Sequence, residues 1–132
     1  GGTRAQWAGI VPGTTSANLW TRVHAYDEMP KVIDPPSGFV QNANEPPWWT
    51  TFPVALDPAR YPAYLATRTM TLRAQRSVGM LDSDPSITYD ELLRYKHSTR
   101  MELADRVLDD LLPAVAASGS SAAKDAAAVL ER

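Results

Sequence analysis

Apolar and polar positions change period midway along this chain. In the second half Leu103, Val107, Leu108, Leu111, Leu112 and Val115 recur at three- and four-residue steps, opposite Glu102, Asp105, Arg106 and Asp109. That spacing gives a helix one apolar side and one wet side. Two stretches, Thr88-Tyr89-Asp90-Glu91 and Thr99-Arg100-Met101-Glu102, match the capping box, in which a hydroxyl and a Glu each satisfy an orphan amide at a helix start. Ser118-Gly119-Ser120-Ser121 then breaks the chain before a last alanine-rich segment. The pattern predicts four helices, at roughly 67–81, 89–96, 99–117 and 121–131, with Pro113 kinking the third or ending its regular part.

The first half follows another rule. Nine of the eleven prolines fall between Pro12 and Pro62, and all four tryptophans (Trp7, Trp20, Trp48, Trp49) precede residue 50. Proline removes a backbone donor and fixes φ, so this density forbids long helices and central strands. Short strands joined by shaped loops are the expectation: Gln6 to Val11, Asn18 to His24, and Gly38 to Asn44, the last bounded by the Pro35-Pro36-Ser37-Gly38 turn and by Pro46. The chain thus divides into a strand and loop region, 1–66, and a helical region, 67–132, within one domain-sized length of 132 residues.

Composition narrows the chemistry. With 13 Lys+Arg against 15 Asp+Glu the formal charge is -2, and no basic stripe tracks a phosphate backbone, so nucleic acid is excluded as a partner. The absence of cysteine removes disulfides, thiolate catalysis and Cys-based zinc sites. No apolar run approaches the roughly 20 residues needed to span a bilayer, so a membrane is not an expected partner. The opening Gly1-Gly2-Thr3-Arg4 lacks the apolar centre of a secretion signal and reads as a cut or tagged start.

Few residues then stand out as chemically equipped. His24 and His97 are 73 positions apart and neither has a partner at ligand spacing, while no G-x-S-x-G or similar motif singles out a serine. The pairs Asp109-Asp110 and Asp82/Asp84 read as a solvated helix face and a loop. Trp48, Trp49, Tyr61 and Tyr64 suit the core of a domain short of aliphatics better than the wall of a pocket. Asn42 and Asn44 remain. Alternation along a strand points both to one face, shared with Val40, and a buried amide must be hydrogen-bonded or serve a purpose. On the residues alone two readings stay open: the amides end the strand and seed the turn into Glu45-Pro46-Pro47, or they are aimed at a ligand.

Three ordered blocks carry a family resemblance: "WAGIVPG" from Trp7, "YDEMPKVIDPPSGFVQNANEPP" from Tyr26 to Pro47, and "RAQRSVGMLDSDPSITYDELL" from Arg73 to Leu93. The middle block is the most specific, a P-x-x-x-N/D-P-x-S/G-G turn followed by N-x-N and proline. Together they resemble the penicillin acylase family of N-terminal nucleophile hydrolases, which includes acyl-homoserine-lactone acylases. The resemblance implies an α+β fold, as part of an αββα sandwich to which this chain gives short strands and about four helices. It implies that Asn44 donates its side-chain N–H to the oxyanion formed when an amide is attacked. It places Arg73 beside the active site, orienting the Asn44 region and the catalytic amine.

The same resemblance sets the remaining expectations. The family's nucleophile is an N-terminal serine whose own α-amino group is the general base, whereas residue 1 here is glycine. The chain is therefore expected to be an interior or C-terminal piece of the large (beta) subunit, inactive alone, whose partners are the small subunit, the rest of the large subunit and an N-acyl amide substrate. Ala43 stands where the penicillin G branch has an aromatic residue, which suits a longer acyl chain and argues against penicillin. Export to the periplasm or beyond and no organic cofactor are implied. Calcium belongs to full enzymes of the family, but no ligand is carried onto Asp57 or any other acid between Trp48 and Leu72. Strand edges left uncovered in such a piece would favour self-association. The alternative from another class is a non-catalytic binding module with a Pro/Trp-lined groove and a helical partner-binding half.

Overall fold

The computed structural model describes residues 8–118 and 120–130, and the chain falls into two units, Gly1–Thr88 and Tyr89–Arg132. In the first unit the backbone turns repeatedly and tightly. Single 3-10 turns form at Ser16–Asn18, Tyr26–Glu28, Pro47–Trp49 and Pro58–Arg60. Proline accounts for two of these, since Pro47 and Pro58 sit at positions whose missing N–H costs nothing. Gly38 N–H donates to Pro35 O at 2.9 Å, closing the expected turn, and Gly38 takes φ 76°, which suits a residue without Cβ.

One long helix completes this unit, α1 (Leu72–Asp82). Thr71 caps it, its side chain accepting from Ala74 N–H at 3.2 Å. Ala74 and Val78, one turn apart on the same face, are buried. They share the core with Leu56 and Trp48, of which Trp48 is only 2% exposed. The indole N–H of Trp48 donates to Thr67 O at 2.7 Å, and its ring lies 5.3 Å from that of Tyr61 at a 40° tilt. The aromatic cluster is thus core, with a paired polar edge.

The second unit contains α2 (Tyr89–Lys96), α3 (Glu102–Ser118) and α4 (Ser121–Leu130), with α3 and α4 in contact. In α2, Asp90 and Glu91 occupy the first turn and Arg94 and Lys96 the last, matching the helix dipole at both ends. No residue of these three helices is buried. Exposed ion pairs decorate them: Arg106 with Glu102 at 2.8 Å, Arg100 with Asp105 at 2.8 Å and Arg94 with Glu91 at 3.3 Å. Such surface pairs are solvent-screened and add little to stability.

Several expectations need correction. Among the described residues there is no strand and no sheet, so the α+β sandwich with short strands is not the architecture found. The physical reason is visible from Val40 to Asn44, where backbone donors are taken locally instead of by a neighbouring strand. Gln41 N–H goes to Thr50 O at 2.7 Å, Ala43 N–H to the Glu45 carboxylate at 2.8 Å, and Asn44 N–H to Asn42 Oδ1 at 2.8 Å. Asn18 to His24 begins inside a 3-10 turn, and in the stretch from Gln6 to Val11 the first two residues lie outside the described part while the rest is irregular. Val40 is 60% exposed, so no buried strand face exists for Asn42 and Asn44 to share. The first predicted helix starts later, at Leu72, and the third at Glu102. Arg100 turns to Asp105 ahead of that third start, and the helix then runs through Pro113 to Ser118. Its apolar stripe is not dry: Leu103, Val107 and Leu111 are 48%, 38% and 41% exposed.

Candidate functional site

The bend at Asn42 to Trp49 meets the start of α1 through side chains. Asn42 begins it as an Asx turn, its Oδ1 accepting the Asn44 N–H and its Nδ2 reaching Glu45 O at 3.4 Å. Asn44 follows with φ 67°, a left-handed conformation that asparagine tolerates better than most residues. Glu45 is 8% exposed and accepts from Gln41 Nε2 at 2.8 Å as well as from Ala43 N–H. Gln41 Nε2 also donates to Trp49 O at 2.6 Å, closing the base of the bend. The exposed carboxamide of Asn44 stands at its tip.

Arg73, second residue of α1, comes to that tip across 29 positions of sequence. Its Nη2 donates to Asn44 Oδ1 at 3.4 Å. A guanidinium has donors only, so the amide atom facing it must be the oxygen, which leaves the two Nδ2 hydrogens on the other side. The separation is long for a charge-assisted bond, and bonds of this kind commonly tighten when a site is loaded. Asn44 and Arg73, the two residues that the sequence singled out, are therefore neighbours, and both are exposed. Asn42 serves the turn, while Asn44 has a partner beyond its neighbouring backbone.

Other groups gather elsewhere in the first unit. His24 Nε2 lies 2.8 Å from the Tyr64 hydroxyl and His24 Nδ1 lies 3.3 Å from Glu28 Oε2, so His24 does find partners, though none at ligand spacing. Glu28 also accepts the Ala25 N–H at 2.9 Å and an Arg22 N–H, and these donors, the Ala25 amide first, hold its carboxyl below the ordinary range. Lys31 bonds Asp27 at 2.7 Å, which raises its ammonium pKa. Among the described residues there is no group of three or more His, Asp or Glu side chains that could hold a metal ion. No described helix is long and apolar enough to cross a membrane.

Sequence reasoning missed Glu45 and Gln41. A signal existed, for Glu45 is the sole charged residue between Pro35 and Leu56, yet it sits beside asparagine and double proline, where a solvated acid is the ordinary reading.

The bend thus presents an exposed carboxamide whose oxygen faces an arginine and whose N–H groups face away from it. A family model described as penicillin amidase matches residues 3–132, and the chain belongs to the penicillin amidase family. Its relationship is accordingly to hydrolases that cleave amides. The match gives no support to the binding-module alternative. Nor does an open cleft of about 510 Å³, which is lined by Val32, Ile33, Asp34, Pro35, Gly38, Phe39 and Val40 and by no tryptophan.

Proposed function

We propose that this chain supplies the oxyanion-binding corner of an acylase that hydrolyses N-acylated amines, of the acyl-homoserine-lactone or β-lactam type. The nucleophile is an N-terminal serine on polypeptide outside this chain, and its α-amino group takes the hydroxyl proton as the oxygen attacks the amide carbonyl. Negative charge then develops on the carbonyl oxygen. Asn44 Nδ2–H meets that oxygen, and Arg73 holds Asn44 Oδ1 so that the amide cannot turn its acceptor toward the charge. Collapse of the tetrahedral intermediate breaks the C–N bond as the α-ammonium returns its proton to the leaving amine. The acyl ester left on the serine is hydrolysed by water that gives its proton to the same α-amino group and releases the acid and the serine hydroxyl. Ala43, small beside the donor, leaves room for a long acyl chain. The enzyme works in the periplasm or outside the cell, uses no organic cofactor, and requires the small subunit and the rest of the large subunit.

The observation that supports this reading best is the Arg73 to Asn44 contact, because a donor-only guanidinium beside the amide oxygen favours the Nδ2 hydrogens pointing away from it. Asn44→Asp tests it in the processed enzyme. Aspartate keeps the shape, tolerates the left-handed backbone and can still accept from Arg73, but it brings no N–H. The expected result is a fall in kcat of about 10²–10³ with KM little changed. Unchanged turnover of acyl amides would remove Asn44 from the mechanism and the reading with it.

A further inference from the structure

We propose that Glu45 is a positioning residue for the reaction, acting through Asn44; this rests on the oxyanion role given to Asn44 above. A carboxylate that is 8% exposed loses most of its hydration and is tolerated when its oxygens are hydrogen-bonded. Each Glu45 oxygen has a donor: Oε1 takes Gln41 Nε2–H and Oε2 takes Ala43 N–H, both at 2.8 Å. Both donors precede Asn44 and the acceptor follows it, so the carboxylate reaches back across the bend and ties its two limbs together. Asn44 is the residue left between them, at φ 67°. Gln41 in turn is anchored to the far limb through Trp49 O at 2.6 Å and Thr50 O at 2.7 Å. The backbone that carries the Asn44 carboxamide, and with it the reach of its Nδ2–H, is thereby set by a clamp that never touches the substrate. A catalytic donor displaced by about 1 Å loses much of its effect, up to about 10²-fold in rate.

Glu45→Gln is the informative change because it is nearly isosteric. Its carbonyl can still serve Ala43 N–H, but its amide then meets the Gln41 amide, donor against donor, and the clamp opens. In the processed enzyme kcat should fall about tenfold or more with KM within about twofold. In an Asn44→Asp background the same change should cost nothing further, since the donor that it misplaces is already gone. Gln41→Met, which removes one donor without adding another, should show the same kcat signature at smaller amplitude, and it answers the question if Glu45→Gln does not fold. A loss equally large in both backgrounds would make Glu45 a residue of the fold only and overturn the proposal, as would unchanged kcat in both Glu45→Gln and Gln41→Met. If Asn44→Asp is impaired while both of those variants are normal, the positioning role fails and the oxyanion role stands. If Asn44→Asp is itself normal, both fail.

Discussion

Between Gly38 and Thr51 the chain has no helix longer than the single turn Pro47–Trp49, yet Glu45, Trp48 and Thr51 are buried there. Between Glu102 and Leu130 it has two regular helices and, among the described residues, no buried one. The first region is ordered by specific side-chain bonds that cannot be exchanged: Ser37 with Thr51, Gln41 with Glu45 and Trp49, Trp48 with Thr67. The second is ordered by backbone periodicity, and its side chains add small, replaceable increments. Fixed chemistry belongs to the first kind of order, since a donor held by unique contacts does not drift when a neighbour changes.

That contrast predicts unequal sensitivity to truncation. Trp48→Ala should remove roughly 3–5 kcal/mol from the first unit, because it empties the core and orphans Thr67 O together. Leu111→Ala on α3, already 41% exposed, should cost well under half of that, in line with surface positions. Urea denaturation with hydrogen exchange at Ala74 and at amides of α3 reads the two losses separately. Equal costs would mean that the second region has a core as decisive as the first.

Pro113→Ala sharpens the other side. Proline inside α3 removes a backbone donor and crowds the preceding turn, at about 3 kcal/mol relative to alanine. The variant should therefore stabilise the helix by up to about 3 kcal/mol. A rise in helical circular dichroism and in the unfolding midpoint checks it. No change would show that α3 has already relaxed around the ring.

What the sequence disclosed follows the same division. Residues 89–96 were legible as a helix because the letters Thr88-Tyr89-Asp90-Glu91 are a local start signal. Thr99 misled for an instructive reason: the same box is present in the letters, but Arg100 bonds Asp105 and the helix waits until Glu102. The strands were misread because proline density and turn residues show where a short extended run can fit, not whether anything lies beside it. At the site, Asn44 and Arg73 were found through the family blocks, since no local rule joins residues 29 apart. Glu45 escaped because burial of a lone acid depends on Gln41 and Ala43 folding over it, and composition records none of that.

The turn at Ala25 to Glu28 stands between the two regimes, since a side chain clamps its backbone as in the Asn44 bend, while the clamp is exposed as on α3. Ala25 N–H, Arg22 and His24 Nδ1 all approach the Glu28 carboxylate, and the first two lower its pKa from the ordinary 4.5. The sign follows from proton counting. Below 4.5 the unfolded chain binds a proton that the folded turn still refuses, so Glu28 stabilises the turn at higher pH. This contribution is lost as pH falls through the lowered folded value. Titration of the Glu28 carboxyl carbon by NMR should give a midpoint under 4.5, with the Ala25 amide shift following the same curve. In Glu28→Gln that amide should not respond in this range. The expected stability effect is small, because the group is solvent-screened. A midpoint at or above 4.5 would mean that the Ala25 and Arg22 bonds do not persist in solution, and that exposure outweighs side-chain clamping even where the donors converge.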